Sequence, residues 1–444
     1  MWLSIPASVH RNIIALALPM ILSNISIPLL GLVDSIVIGH LDQAWYLGGV
    51  ALGSAVVMFI VSMCNFLRMS TTGLTAQAFG KQDSGIIFMT LAHALLIALG
   101  LSFLLLLGKD YIVELAFMLT DASTHVQQNA QAYLSIRLWG IPAALFNFAI
   151  LGWLIGLQNM KAPMLLLIIA NVFNIVLDIL FVVYFEWGVE GAAAASVIAE
   201  YAALLFGLLL VLKQLNRFSL SSRSEIIQRL FESSKLLALL SLNRDIFIRS
   251  LCLQLVFAFM TFKGASLGDE YIAANAVLLN FLMFISFALD GIAYAVEAMV
   301  GKAIGAKNRV AYRQSVIASL LWAGVFSIVF SIGFFMFGEV MVRGITDIDS
   351  VNTIAIEYLP WLVLLPFTAV WCFVFDGVFI GATRAKDMRN SMLFCVICVF
   401  LPTYVISRGL GNHGLWLAMN TFMLARGVSL AWLLLPSLRE TSAQ

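Results

Sequence analysis

The chain carries GWLIGLQNMK at residues 152–161 and a related stretch, GVFIGATRAK, at residues 377–386. Both stretches begin with a G-x-x-x-G pattern and end in lysine, and a shift of 225 residues separates them. The same shift, without a gap, aligns four more identical pairs: Gly39 and Gly264, Tyr46 and Tyr271, Gly80 and Gly305, and Tyr133 and Tyr358. This match predicts two copies of one structural unit, with the paired glycines allowing neighbouring backbones to approach closely.

Each copy has the composition of membrane helices. Of the 444 residues, 62% are hydrophobic and 11% are charged, which is more apolar surface than a soluble core could bury. Runs of about 20 apolar residues predict twelve transmembrane helices. They cover residues 12–38, 45–67, 87–108, 126–156, 160–185, 189–213, 236–262, 271–300, 311–337, 351–381, 388–407 and 412–435. The predicted fold is an all-α integral membrane protein with two six-helix bundles, related by a parallel internal repeat, around a central cleft.

The domains and the orientation follow from the polar segments. The hydrophilic stretch that follows the sixth helix predicts an N-terminal bundle over 1–213, a cytoplasmic linker over 214–235 and a C-terminal bundle over 236–444. Seventeen Lys and Arg residues fall on the side of the termini and four on the other side, so we expect both termini in the cytoplasm of a bacterial inner membrane. The first apolar stretch is too long for a signal peptide and should remain as a helix.

Several function classes are disfavoured by composition. The net charge of +1, without a block of like charge, gives no basic field for nucleic acid. Cys395 and Cys398 form a lone C-x-x-C in an apolar run, so we expect two small core residues and neither a metal nor a cofactor. No H-E-x-x-H motif is present, and the chain is not expected to be an enzyme.

The first helix carries Pro19 and, fifteen residues later, Asp34. Proline removes a backbone donor and permits a kink, so Pro19 is a candidate hinge on a helix that also holds a protonatable carboxylate. Ionisable residues inside a membrane are costly and favour a functional role. The alternative is that Pro19 is a static kink and Asp34 a satisfied cap near Gly39.

The fifth helix carries Asn171, Asn174 and Asp178 on one face, and Ser196 on the sixth helix lies at a similar depth. With Asp34, these residues predict an oxygen-rich pocket in the first bundle. Carboxylate and amide oxygens suit a hard cation, so sodium at Asp34, Asn174 and Asp178 is one option, and clustered carboxylates can carry a proton instead. A structural hydrogen-bond network remains the alternative.

A different polar set occupies the second half, where Asp290, Glu297, Asp376 and Arg244 form a candidate second site for substrate or gating contacts. We expect Arg244 to lie near Asp290 or Asp376. The spacing of Asp245 and Arg249 predicts that these two neutralise each other. Arg137 and Glu200 are further intramembrane charges to which the sequence assigns no partner.

Four stretches carry a family resemblance: ALPM at 17–20, GLVDSIVIGH at 31–40, LRMSTTGLTAQA at 67–78 and GVFIGATR at 377–384. Together they resemble the multidrug and toxic compound extrusion (MATE) family, specifically its DinF-like bacterial branch. The resemblance implies an outward-opening, V-shaped cleft and export driven by a proton or sodium gradient. It also implies that protonation of Asp34 is linked to bending at Pro19, and that Asn174, Asp178 and Ser196 belong to the coupling site.

The combined hypothesis is a cation-coupled multidrug antiporter that exports small organic compounds, often cationic or amphipathic, by alternating access. The expected coupling ion is a proton, with sodium as the alternative, and the expected state is a monomer in the lipid bilayer. A lipid-precursor flippase of the same superfamily is the other alternative.

Overall fold

The computed structural model describes residues 5–39, 44–118, 123–216, 218, 233–346 and 348–439. Its description of side chains leaves out residues 28–39, 44, 47, 233–235 and 439. Within these ranges the chain is helical and contains no strand, which confirms the all-α prediction. The chain packs as two compact units. The first unit is Leu22–Leu239, and the second unit combines Met1–Ile21 with Leu240–Gln444.

Helix α1 (Ala7–Gly39) therefore contributes its first part to the second unit and its remainder to the first. Over its described residues, the first unit continues with eight complete helices: α2 (Ala44–Cys64), α3 (Phe66–Gly80), α4 (Ser84–Leu107), α5 (Lys109–Met118), α6 (Thr124–Arg137), α7 (Ile141–Gly156), α8 (Lys161–Asp178) and α9 (Gly188–Leu215). A 3₁₀ turn, Leu138–Gly140, joins α6 to α7, and a π-helical segment, Ile179–Tyr184, extends α8.

Seven further helices follow in the described ranges. The first, α10 (Ser233–Ala265), begins in the first unit and enters the second at Leu240. The others lie in the second unit: α11 (Asp269–Gly305), α12 (Arg309–Arg343), α13 (Asp349–Gly381), α14 (Ala385–Phe394), α15 (Leu401–Ser407) and α16 (Asn412–Arg439). A π-helical segment, Cys395–Phe400, connects α14 to α15. The predicted linker, 214–235, lies mostly outside the described residues. The domain boundaries drawn from the sequence therefore stay a prediction.

Eleven helical stretches, counted over the described residues, are long and apolar enough to cross a membrane. Together with the 33-residue α1, they agree with the twelve predicted helices. The predicted end of the second helix at residue 67 is wrong, because α3 continues the helical path to Gly80. Helix α3 is rich in polar residues, so a criterion based on runs of apolar residues does not detect it. Its residues Arg68, Thr71 and Thr75 are nevertheless buried. The short helix α5, which buries no residue, was not predicted either.

The internal repeat is visible in how the helices pack. In the first unit, Gly152 on α7 lies so close to α3 that a Cβ there would collide with the carbonyl oxygen of Arg68. In the second unit, a Cβ at Gly377 on α13 would lie 2.7 Å from the carbonyl oxygen of Ala293 on α11. Both the glycines and their carbonyl neighbours are 225 residues apart. Close backbone packing at the G-x-x-x-G patterns is thus confirmed in each unit.

One prediction about the core fails within the second unit. Cys395 is buried, whereas Cys398 is exposed on the helix surface. Both lie in the π-helical segment, whose wider turn places residues three apart on different faces.

Candidate functional site

The polar face of α8 is the strongest candidate site in the first unit. Its predicted members differ in burial, since Asn174 is 4% and Asp178 2% exposed while Asn171 is half-buried. The spacing of three and four residues places them on one face because an α-helix turns once every 3.6 residues. The rest of α8 is largely apolar and exposed, so this stripe faces inward while the opposite face meets the surroundings.

Two hydrogen bonds connect this face to neighbouring helices. The Asn174 Nδ2 donates to Ser196 Oγ on α9 at 3.0 Å. The Asn171 Nδ2 donates to Ser26 Oγ on α1 at 2.5 Å, and Ser26 Oγ donates to the carbonyl oxygen of Ser23 at 2.6 Å. The site therefore joins α1, α8 and α9, and Ser26 is a member that the sequence interpretation missed.

Asp178 ends the α-helical part of α8, and the π-helical segment Ile179–Tyr184 begins at the next residue. A π turn inserts one extra residue and rotates the side chains that follow it, and such turns are frequent at functional sites. Here the rotation occurs directly after the buried carboxylate. The helix thus keeps Asp178 in register with Asn174 while it redirects residues 179–184.

The residue types in this site define its chemistry. One carboxylate, two amides and two hydroxyls offer oxygen atoms, and Asn174 Oδ1 accepts no hydrogen bond from any described residue. Such a set can accept a proton at the carboxylate or coordinate a hard cation through oxygen. Within the described ranges no cluster of three His, Cys, Asp or Glu residues exists that could hold a metal ion.

The two predictions for α1, the carboxylate at Asp34 and the hinge at Pro19, are both untested by the described residues. The Asp34 side chain lies outside the described side chains, so its place in the pocket stays a prediction. Pro19 lies within the unbroken helix α1, two residues before the point at which the chain passes from the second unit to the first. A hinge at Pro19 also stays a prediction, and its position relative to this boundary is compatible with one.

The four residues of the predicted second site lie on three helices, and their grouping into one site stays a prediction. Asp290 is half-buried and Glu297 is 1% exposed on α11. The side chain of Arg244 is largely exposed and pairs with the adjacent Asp245. The ion-pair partners of Asp376 are instead Arg249 and a residue that the sequence interpretation overlooked, Arg426 on α16.

The predicted pair of Asp245 and Arg249 is wrong. Asp245 accepts a hydrogen bond from Arg389 Nη1 at 2.7 Å, and Arg249 pairs with Asp376. A spacing of four residues permits contact along a helix, but each of these two side chains pairs with a residue on another helix.

Arg137 and Glu200, left without partners by the sequence, pair with each other in the first unit. Arg137 Nη1 and Nη2 donate to Glu200 Oε2 and Oε1 at 2.9 and 2.6 Å. This bidentate pair joins α6 to α9 one turn from Ser196. Gly140 makes room for it, because a Cβ there would lie 2.6 Å from the Arg137 Nη1.

Comparisons with known proteins agree with this architecture. A family model described as MatE matches residues 19–180 and 246–405, one stretch in each half of the chain. The chain is 46% identical over 416 residues to DNA damage-inducible protein F of Escherichia coli (strain K12), covering 94% of this chain and 90% of that protein. It is 26% identical over 419 residues to the probable multidrug resistance protein YpnP of Bacillus subtilis (strain 168), covering 93% and 92%. The fold matches the crystal structure of the Vibrio cholerae MATE transporter VcmN in the bent form with a TM-score of 0.84 at 20% identity, over 98% of each chain.

Proposed function

The chain belongs to the MatE family of multi-pass membrane transporters, which are not enzymes, and from this we propose that it exports small organic compounds in exchange for protons. The proposed coupling site is the polar face of α8 with its contacts on α1 and α9. The observation that supports it is a carboxylate, Asp178, buried to 2% exposure one turn from Asn174 in an otherwise apolar helix. A buried carboxylate in a membrane helix is costly and indicates a functional role.

The proposed cycle uses protonation to change the contacts between α1 and α8. With Asp178 and Asp34 ionised, the site is negatively charged and can hold an amphipathic cation. Protonation removes this charge, and α1 then shifts about Pro19 because its contacts to α8 have changed. Release of the compound and return of the proton to the cytoplasm reset the site, as alternating access requires.

The gradient supplies enough free energy for this exchange. Each proton that moves inward through a potential of about 100 mV contributes about 2.3 kcal/mol before any pH difference. A factor of ten in concentration corresponds to about 1.4 kcal/mol. One proton per cycle therefore supports accumulation of an uncharged compound outside by more than tenfold. A monovalent cation leaves against the same potential, so its export by one proton draws on the pH difference instead. We further propose that both termini face the cytoplasm of a bacterial inner membrane, following the distribution of basic residues.

The test is efflux of a fluorescent cationic dye from proteoliposomes under an imposed proton gradient and, separately, a sodium gradient. We compare the wild type with Asp34→Asn and Asp178→Asn, which remove a charge and keep the shape. Asp110→Asn is the matched control, because Asp110 is an exposed carboxylate in the first turn of α5. We expect the proton gradient to drive efflux in the wild type and the control, and both site variants to lose it.

If a sodium gradient alone drives efflux, the coupling ion is sodium, bound by the same oxygen atoms, and the proton proposal is wrong. Efflux that persists in both Asp34→Asn and Asp178→Asn at the level of Asp110→Asn would reject the coupling site. Ser26→Ala provides a finer probe, because it removes the hydroxyl that joins α1 to Asn171 and leaves every carboxylate in place. We expect it to slow proton-driven efflux without changing which ion drives it.

A further inference from the structure

Three helices of the second unit bring three buried charges together. Arg249 on α10, Asp376 on α13 and Arg426 on α16 are 6%, 6% and 2% exposed. The Nη2 groups of both arginines donate to the same oxygen atom, Asp376 Oδ2, and the bond from Arg426 is 2.8 Å long. We call these three residues the arginine cluster.

The charges of the arginine cluster do not balance. A guanidinium group stays protonated in proteins, so two positive charges face one carboxylate. The other carboxylate on α10, Asp245, is held by Arg389 and does not contact the cluster. Among the described ion pairs, neither Arg249 nor Arg426 has any carboxylate partner but Asp376. A net positive charge in an apolar interior is unfavourable unless an anion compensates it.

The hydrogen bonds of the cluster are unbalanced in the same direction. The Nε atoms of Arg249 and Arg426 are both buried and have no acceptor among the described residues. The Arg426 Nη1 donates only to the sulfur of Met423, at 3.3 Å, and thioether sulfur is a weak acceptor. The guanidinium group of Arg426 also lies 5.6 Å from the ring centre of Phe422. What the cluster lacks is a group that accepts hydrogen bonds and carries negative charge.

We propose that the arginine cluster binds the carboxylate group of an organic anion. A carboxylate accepts hydrogen bonds at both oxygens, matches the fork of a guanidinium group and supplies the missing charge. The apolar side chains beside Arg426, Met423 and Phe422, suit the organic part of such a compound. A cation is disfavoured, because the charge of the cluster is positive and the Asp376 oxygen is already bound by both arginines. The proposal rests on the proposed export function and adds organic carboxylates to the compounds that this function covers.

Asp376 takes a defined part in this site. It neutralises one of the two arginines when no ligand is bound, and it competes with a ligand carboxylate for their donors. Removing its charge should therefore tighten binding. A purely structural ion cluster would behave differently. Substitution of any of its three residues would lower the free energy of unfolding, and an added anion would not bind to it.

The test is equilibrium binding of radiolabelled benzoate to the purified full-length protein in detergent. Benzoate replaces chloride at constant sodium concentration and constant ionic strength. We expect saturable binding to the wild type, loss of that binding in Arg426→Gln, and binding about tenfold tighter in Asp376→Asn. Arg389→Gln is the matched control, because it removes another arginine of the same unit from a different carboxylate. It should bind benzoate like the wild type.

Folding is checked by the thermal unfolding midpoint without benzoate. Arg426→Gln leaves Arg249 and Asp376 as a neutral pair, so we expect its midpoint to match or exceed that of the wild type. Absence of saturable benzoate binding to the wild type, equal binding to Arg426→Gln, or weaker binding to Asp376→Asn would each overturn the proposal. Chloride that competes as well as benzoate would overturn the carboxylate assignment. Binding needs no gradient, so this result is independent of the dye-efflux test of the proposed function.

Discussion

Replacing Glu200 by glutamine removes the negative half of the ion pair that joins α6 to α9. The pair is bidentate, and its side chains are 13% (Arg137) and 22% (Glu200) exposed. Loss of one partner from a buried pair leaves an uncompensated charge and typically costs 3–5 kcal/mol. Because this pair keeps some exposure, we expect Glu200→Gln to lower the free energy of unfolding by about 3 kcal/mol.

Substitution of the other partner, Arg137, should cost less stability. Arg137→Gln leaves a carboxylate, which can take up a proton in apolar surroundings, whereas a lone guanidinium group cannot lose one. We expect Arg137→Gln to cost about 1–2 kcal/mol. The double variant buries no charge, so it should cost no more than Arg137→Gln alone and give a coupling energy of about 3 kcal/mol or more.

The assay is unfolding of purified protein in mixed micelles with a rising fraction of SDS, for both single variants and the double variant. Glu339→Gln is the matched control, because its pair with Arg343 is exposed by more than half on both sides and is worth about 0.5 kcal/mol or less. If Glu200→Gln costs no more than Glu339→Gln, or costs less than Arg137→Gln, the reasoning about the buried charge is refuted. Glu200 also lies one turn from Ser196, so we expect proton-driven efflux to fall in Glu200→Gln.

Two further substitutions test the packing of the second unit. Gly291→Ala should destabilise the protein by about 2 kcal/mol, because its Cβ would lie 2.7 Å from the backbone nitrogen of Ile21 on α1. Gly324→Ala is the control, because its Cβ would lie 4.0 Å from its nearest neighbour, and it should be neutral or slightly stabilising. The thermal unfolding midpoint measures both effects. Asn412→Leu should cost about 2 kcal/mol, because it breaks a reciprocal amide pair with Asn275 at 2.8 and 3.0 Å and leaves a buried amide unsatisfied. Equal midpoints for wild type and Asn412→Leu would contradict this.

The sequence predicts features that depend on one helix or on the repeat. Hydropathy located the membrane helices, because each must satisfy its backbone internally and present apolar side chains to lipid. The stripe of Asn171, Asn174 and Asp178 was visible because its spacing matches the turn of a single helix. The contact between Asn174 and Ser196 could be predicted from depth, since α8 and α9 are consecutive helices with a short connection.

Partnerships between distant helices could not be predicted in this way. Arg249 and Asp245 are correctly spaced for a pair on α10, yet each binds a residue from a helix more than a hundred positions away. Arg426 was overlooked because it is a single charged residue in an apolar run, and the sequence around it gives no indication of its ion-pair partner. Helix α3 was missed for a related reason, since its buried hydroxyls face α7 and the sequence alone does not show that they are covered.

The internal repeat separates what the fold needs from what function needs. The glycines at which α3 meets α7 and α11 meets α13 are kept in both units, because the backbones would otherwise collide. The position that matches Asp376 in the first unit is Leu151, which is 6% exposed, as Asp376 is. This position therefore accepts an apolar side chain in the same scaffold, and a buried ion cluster is often no more stable than such a replacement. A carboxylate bound by two arginines is thus not required for packing at this position, which supports a role in binding rather than in folding.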